Sequence, residues 1–397
     1  MPSGSTYRRF WFRDTCLILN ALLGLGQTGK VSAVLEDFPS RQRLDGYFHS
    51  QEGEWDANGQ VLWIADRWET ATGSQVSDRV WQSLQKGADW IDRNCLSAAD
   101  SRHDGLLPAG FSAEHLGPND HFYWDDLWAL GGLKAAIAMA VRRGDDDLAK
   151  KWQEHAKKLQ AAVEKSFGQV PETTRAQGLP ASPYRRMDAG AIGTMAGEYP
   201  LMLDELGREN FVQTAKWLVD RCTFDGGFFQ DMIHSGVNAY LTLALAQTLL
   251  RDGDSTYEEL INAVSELASP TGQWPEAIHP RTKGGCMGDG QHAWAAAEWV
   301  LMMRALFVRE EPDRLVVGAG LPSRWFDDDE VHLMSYGPTP TRWGPVQVSV
   351  SRRDAAAPWR YEIIGDWRDQ RPTLDVRVPA FEPVPEAADA GPLERTA

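Results

Sequence analysis

Residues 121–167 read HFYWDDLWALGGLKAAIAMAVRRGDDDLAKKWQEHAKKLQAAVEKSF, and the contrast between their two halves decides the fold. The first half opens on aromatic residues and the adjacent acids Asp125 and Asp126, then runs through glycine and small apolar residues without a polar face. Such a helix, expected over 122–143, is surrounded on all sides. The second half, expected as a helix over 145–167, carries charges around a single apolar seam, which is the pattern of a helix covered on one side only. An inner helix followed by an outer one is a helical hairpin.

The same rhythm recurs along the chain. Helices are expected at 14–25, 28–38, 59–72, 76–95, 122–143, 145–167, 187–206, 209–221, 236–252, 255–268 and 290–308, separated by loops rich in Gly, Pro and Asp. Asp14, Asn238 and Ser255 supply N-cap chemistry at three of the starts. Alternating inner and outer helices predict an all-α, (α/α)6 toroidal barrel. Eleven helices leave one short of six pairs, and the expectation is a chain that begins inside a longer parent sequence and lacks its first helix. No strand alternation precedes residue 312. Beyond it, RLVVGAGL, VHLMSY, VQVSVSRR, WRYEII and TLDVRV alternate and are rich in β-branched residues. The expected organisation is therefore a barrel over 1–311, a small C-terminal β domain over 312–381 and a disordered tail over 382–397.

Composition narrows the partners. A net charge of −16 argues against nucleic acid and anionic membranes. The apolar runs are too short to span a bilayer, and the first residues, MPSGSTYRRFWFRD, show no signal-peptide core, so a cytoplasmic location is expected. Four dispersed cysteines read as unpaired thiols, and no His/Cys/Asp group has metal-ligand spacing, so neither metal nor cofactor is expected. Seventeen tryptophans, many beside acids or glycines, point to sugar, whose C–H faces stack on indole while carboxylates and amides take its hydroxyls.

Four loop-to-helix segments concentrate these residues: RRFWFRDTC (8–16), GEWDANGQVLW (53–63), HFYWDDLWAL (121–130) and GQWPEAIHPRTKGGCMGDGQHAWAAAEW (272–299). Glycoside cleavage needs two carboxyl groups on opposite sides of the anomeric carbon, one giving a proton and the other activating water or attacking. Asp125, between Trp124 and Asp126, has an apolar wall and a like charge beside it, both of which raise a carboxyl pKa. Glu276 follows Pro275 and Trp274 in a stiff loop and is the natural distal partner. Arg13 and Asp14 form a fork able to grip hydroxyls. Trp55, Asp56 and Gln60, Asp188, His234 and Asn238, and His279, Asp289 and His292 complete the candidates for substrate contact.

On these segments the chain resembles the catalytic barrel of glucoamylases (glycoside hydrolase family 15), trehalases, and processing and debranching-type glucosidases. Trp11–Asp14 is similar to their W-x-R-D segment, YWDDLW to W-E-E, and WPEAI to A-E-Q-F/Y, while HAWAAAEWVL resembles the inner helix that follows, with Trp294. The resemblance implies that Arg13 and Asp14 hold the non-reducing glucose, Asp125 donates the proton with Asp126 beside it, and Glu276 is the base. It further implies inverting hydrolysis of a glucosidic bond in an oligosaccharide or a glycogen- or starch-like glucan, with carboxyls about 6.5–9.5 Å apart. The aspartate in place of the family's glutamate follows the trehalase pattern, and the long CMGDGQH insert departs from the family. Three other readings keep the barrel. A phosphorylase would use Arg281 and Lys283 for phosphate, an epimerase would use His234 and His292, and a sugar-binding barrel would have no catalysis.

Overall fold

The computed structural model describes residues 6, 9–97, 102–111, 118–232, 235–378 and 382–383. Its helical part comprises α1 (Phe12–Gly24), α2 (Thr28–Asp37), α3 (Ala57–Thr72), α4 (Asp78–Asn94), α5 (Tyr123–Arg142), α6 (Asp146–Gln169), the single turn α7 (Glu172–Arg175), α8 (Arg208–Arg221), α9 (Ala239–Asp252), α10 (Thr256–Glu266) and α11 (Ala293–Phe307). A 3-10 segment, Ala189–Gly197, lies between α7 and α8.

Inner elements pack in a ring: α1 on α3, α3 on α5, α5 on the 3-10 segment, that segment on α9, α9 on α11, and α11 back on α1. The outer helices α2, α4, α6, α8 and α10 lie against them. This is an (α/α)6 toroid with five outer helices among the described residues. The burial pattern explains the division. Helix α5 buries fifteen of its residues around its whole circumference, including Trp124, Trp128 and Leu133. Helix α6 buries only a seam, Ala149, Trp152, Ala156, Leu159, Val163 and Phe167, and each large apolar side chain there contributes about 2 kcal/mol on burial. Asp145 caps it, accepting from Leu148 N at 3.1 Å.

Helices α3 and α5 meet backbone to backbone. A Cβ on Gly59 would lie 2.0 Å from the Trp128 carbonyl oxygen, and one on Gly132 would lie 2.5 Å from Gly59 Cα. No side chain fits there, so the glycines in WALGG and ANGQ are required by packing.

The sequence expectation differs from the structure between 187 and 206. The stretch is a 3-10 segment of nine residues followed by turns, because Gly190, Gly193 and Gly197 weaken an α-helix and Pro200 cannot extend one. A second difference lies before residue 312. Strands β1 (Thr223–Phe224), β2 (Gly227–Gln230), β3 (Gly236–Val237), β4 (Ala277–Ile278) and β5 (Gly285–Met287) form an antiparallel sheet in sequential order. They are two to four residues long, too short to show alternation.

After the barrel come β6 (Val308–Glu310), β7 (Arg314–Val317), β8 (Leu333–Thr339), β9 (Val346–Ser351), β10 (Arg360–Gly365), β11 (Thr373–Val376) and β12 (Glu382–Pro383). They make a three-stranded sheet, β11-β7-β6, and a four-stranded sheet, β12-β10-β9-β8. Glu382 and Pro383, at the start of the expected tail, pair with β10, while 384–397 lie outside the described residues. The β part closes the seam between the first and last inner helices: Thr339 Oγ1 donates to Gly24 O at 2.7 Å and accepts from Arg304 Nε at 2.9 Å. All four cysteines are free, and among the described residues no helix is long and apolar enough to cross a membrane.

Candidate active site

Many of the residues singled out from sequence lie at the N-terminal ends of the inner helices. Trp11 is the N-cap of α1, with Arg13 and Asp14 in its first turn. Asp56 precedes α3, Asp125 and Asp126 open α5, Asp188 caps the 3-10 segment, Asn238 precedes α9 and His292 precedes α11.

Two groups form there. In the first, Asp56 is the hub. Its Oδ2 accepts from Arg13 Nη1 at 3.2 Å, Gln60 Nε2 at 2.9 Å and Trp124 Nε1 at 2.9 Å, while Arg13 Nη1 also reaches Glu54 Oε2 at 3.2 Å. Asp125 stands beside this cluster, 2% exposed. Burial, followed by the charges of Asp56, Asp126 and Glu54, pushes its carboxyl well above the usual carboxylate range against the pull of Arg13. Asp125 Oδ1, Gln60 Oε1 and Trp55 Nε1 are buried and have no hydrogen-bond partner among the described residues. Polar atoms so placed are costly unless a ligand satisfies them.

The second group surrounds Glu276. Strand β4 begins at the next residue, and Val237 of β3 pairs with Ile278. Asn238 Nδ2 donates to Glu276 O at 2.9 Å. Glu276 N donates to Asp289 O at 2.8 Å, and Asp289 N returns a bond to Glu276 Oε2 at 3.1 Å. The Gly288 backbone, at φ +66°, lies directly on the carboxylate: a Cβ there would be 2.0 Å from Oε2. The side chain of Glu276 is therefore held from both ends of a loop that Pro275 stiffens.

Asp14 joins the two groups. Burial raises its pKa, the charges of Arg13 and His292 lower it, and the charge of Glu276 raises it. His292 Nε2 stands 3.8 Å from Asp14 Oδ1, and its ring packs edge-on against Tyr240, 4.8 Å between centroids. Arg13, Asp14, Asp56, Asp125, Glu276 and His292 thus belong to one cluster at one end of the ring.

The remaining candidates have more local partners. Asp126 accepts from Leu107 N at 2.8 Å and pins the loop around residue 107; burial raises it to about 7. Asp188 accepts from Gly190 N and from Arg185 Nη2. Trp274 turns its Nε1 to Val264 O at 2.8 Å, and Trp294 binds Glu298 Oε1 at 2.9 Å while packing on Tyr240. His279 Nδ1 accepts from Arg281 N and Thr282 N, closing a turn. Thr6 N donates to Asp289 Oδ1. Lys283 binds Asp225 at 2.6 Å, away from Asp125, and Arg281 is exposed. His234 lies outside the described residues.

Sequence reasoning missed Glu54, Tyr47 and Tyr240. Burial raises Glu54 to about 7 against the pull of Arg13, and Tyr47 donates to Glu54 O at 2.5 Å. Glu54 was readable as the first acid of GEWD; Tyr47 and Tyr240 carried no local signal.

No protein-family model matches the sequence, and no curated protein is similar to it at the sequence level. Solved structures are similar in fold. A family 78 rhamnosidase from Bacillus sp. GL1 superposes with a TM-score of 0.64 at 15% identity, over 96% of this chain and 40% of that one. A bacterial glucoamylase complexed with acarbose gives 0.56 at 15%, over 76% and 49%. The Saccharomycopsis fibuligera glucoamylase gives 0.57 at 11%, over 77% and 88%. The fold is that of the six-hairpin glycosidases. The chain spans less than half of the rhamnosidase, yet that match extends past the barrel into the β part.

Proposed function

We propose that this chain is a glycoside hydrolase acting by single displacement with inversion, on a glucosidic bond of an oligosaccharide or a glucan. The observation that carries the reading is Asp125: a buried carboxyl, raised well above the usual range, with an unpartnered oxygen at the mouth of an indole-lined ring. Burial and the neighbouring carboxylates favour the protonated form of such a group, which can give its proton to a leaving glycosidic oxygen. Glu276, fixed by Asn238 and the Gly288–Asp289 backbone in the same cluster, takes the part of the base that deprotonates water. Arg13, Asp14, Gln60 and Trp55 carry groups that suit the hydroxyls and face of a sugar ring. A cytoplasmic location accompanies this reading.

The test is a panel of α- and β-linked disaccharides, with an α-rhamnoside included, followed by NMR of the anomer first released. Release of the anomer opposite to the bond cleaved supports the assignment. Release of the same anomer makes Glu276 a nucleophile instead, and turnover that requires phosphate removes hydrolysis altogether.

A further inference from the structure

A well-formed cavity lies at the other end of the ring, where the C-terminal halves of the inner helices gather. It encloses about 280 Å³ and is walled by α1, α3, α5, α9, α11 and the turn after the 3-10 segment. Its two sides differ in charge. On one, Glu310 is the single carboxylate among three guanidinium groups: Arg304 Nη2 at 3.0 Å, Arg67 Nη2 at 3.3 Å and Arg342 Nε at 3.7 Å. Burial opposes ionisation of Glu310, yet these three cations hold it at about 2. The next acid on this wall, Asp66, is engaged by Arg142 at 2.6 Å. Three positive charges on one negative charge leave an excess of two, inside a protein whose net charge is −16.

The facing side is polar and incompletely bonded. Glu198 is 1% exposed, and its Oε1 takes Arg208 at 3.0 Å and Arg251 at 2.9 Å. Its Oε2 is buried with no hydrogen-bond partner among the described residues, and the same holds for Arg309 Nη1 on the same lining. Gln247 and Asn20 stand alongside. A cationic excess beside a cavity favours an anionic occupant.

We propose that this cavity is a second ligand site, separate from the acid cluster, for a single sugar that carries an anionic group. The phosphate or carboxylate sits on Arg67, Arg304 and Arg342, where bidentate guanidinium contacts favour such groups. The hydroxyls reach the side-chain amides of Asn20 and Gln247. The site is on the far side of the ring from Asp125, so its occupant is an effector and not the bond being cleaved.

The experiment is calorimetric titration of the whole protein with glucose 6-phosphate, glucuronate, glucose and inorganic phosphate. One saturable site is expected for at least one of the two anionic sugars, and which of them binds distinguishes a phosphate ester from a carboxylate. Arg67→Gln and Arg342→Ala should each weaken it at least tenfold, while Glu276→Gln leaves it unchanged. Circular dichroism checks that each variant is folded; Arg342, the more exposed of the two, supplies the comparison if Arg67→Gln is not. Binding of neither anionic sugar, equal binding of inorganic phosphate, glucose binding that Arg67→Gln weakens to the same degree, or loss in Glu276→Gln overturns the proposal.

Discussion

Trp124 donates its indole N–H to Asp56 Oδ2 at 2.9 Å and so ties the first turn of α5 to the start of α3. Among neighbouring charges, Asp56 comes first in raising the carboxyl of Asp125. Removing that charge lowers the pKa of Asp125. An acid that works in its protonated form is lost as pH rises through its pKa, so Asp56→Asn should move the alkaline limb of kcat/KM to lower pH, by about one unit or more. The pH–rate profile measures this, and an unmoved limb would remove Asp125 as the acid.

Asp125→Asn and Glu276→Gln should each reduce kcat on the order of 10³-fold while the thermal midpoint stays within a few degrees of wild type. Steady-state kinetics beside a melting curve separates this from a folding defect. Retention of most of the activity in either variant contradicts the assigned pair.

Gly288→Ala places a methyl group against the Glu276 carboxylate from a left-handed backbone position. The expected result is a fall in kcat of at least about tenfold with a smaller change in KM, because the base is displaced and the hydroxyl contacts remain. Asn238→Ala, which removes only the bond to Glu276 O, should give a weaker effect in the same direction.

Burial raises Asp126 from 3.8 in the unfolded chain to about 7. Between those values the native state binds a proton that the unfolded state releases. The contribution of this residue to stability is therefore present in acid and lost as pH rises from about 4 to about 7. Asp126→Asn keeps an oxygen acceptor for Leu107 N–H and cannot ionise. Denaturant unfolding at both ends of that window should show wild type losing stability relative to the variant, by on the order of a few kcal/mol. Parallel pH dependences would mean that Asp126 does not titrate there.

The legible parts of the molecule are those where one periodic pattern outweighs local exceptions. The seam of α6 and the apolar body of α5 run long enough to fix both helices, and the alternation in 346–351 and 360–365 fixes two of the later strands. At 189–197 packing against Phe211 determines the path: a Cβ on Gly197 would lie 2.3 Å from its ring. The short strands β3 and β4 exist because they pair with each other across forty intervening positions, which no local window contains. In the site, loop carboxylates beside tryptophan were readable, while their partners were not. Asn238 reads as a helix cap, yet its side chain makes no capping bond and turns to Glu276 instead.

The ring closes where α11 meets α1, and Thr339 fastens that seam to a residue 315 positions earlier. During synthesis, α1 therefore waits with one apolar flank uncovered until α11 has left the ribosome. Such distant contacts make for slow closure. Every shorter nascent form is an open arc with two sticky ends, so the burden on chaperones falls on the unfinished chain and lifts once the latch engages.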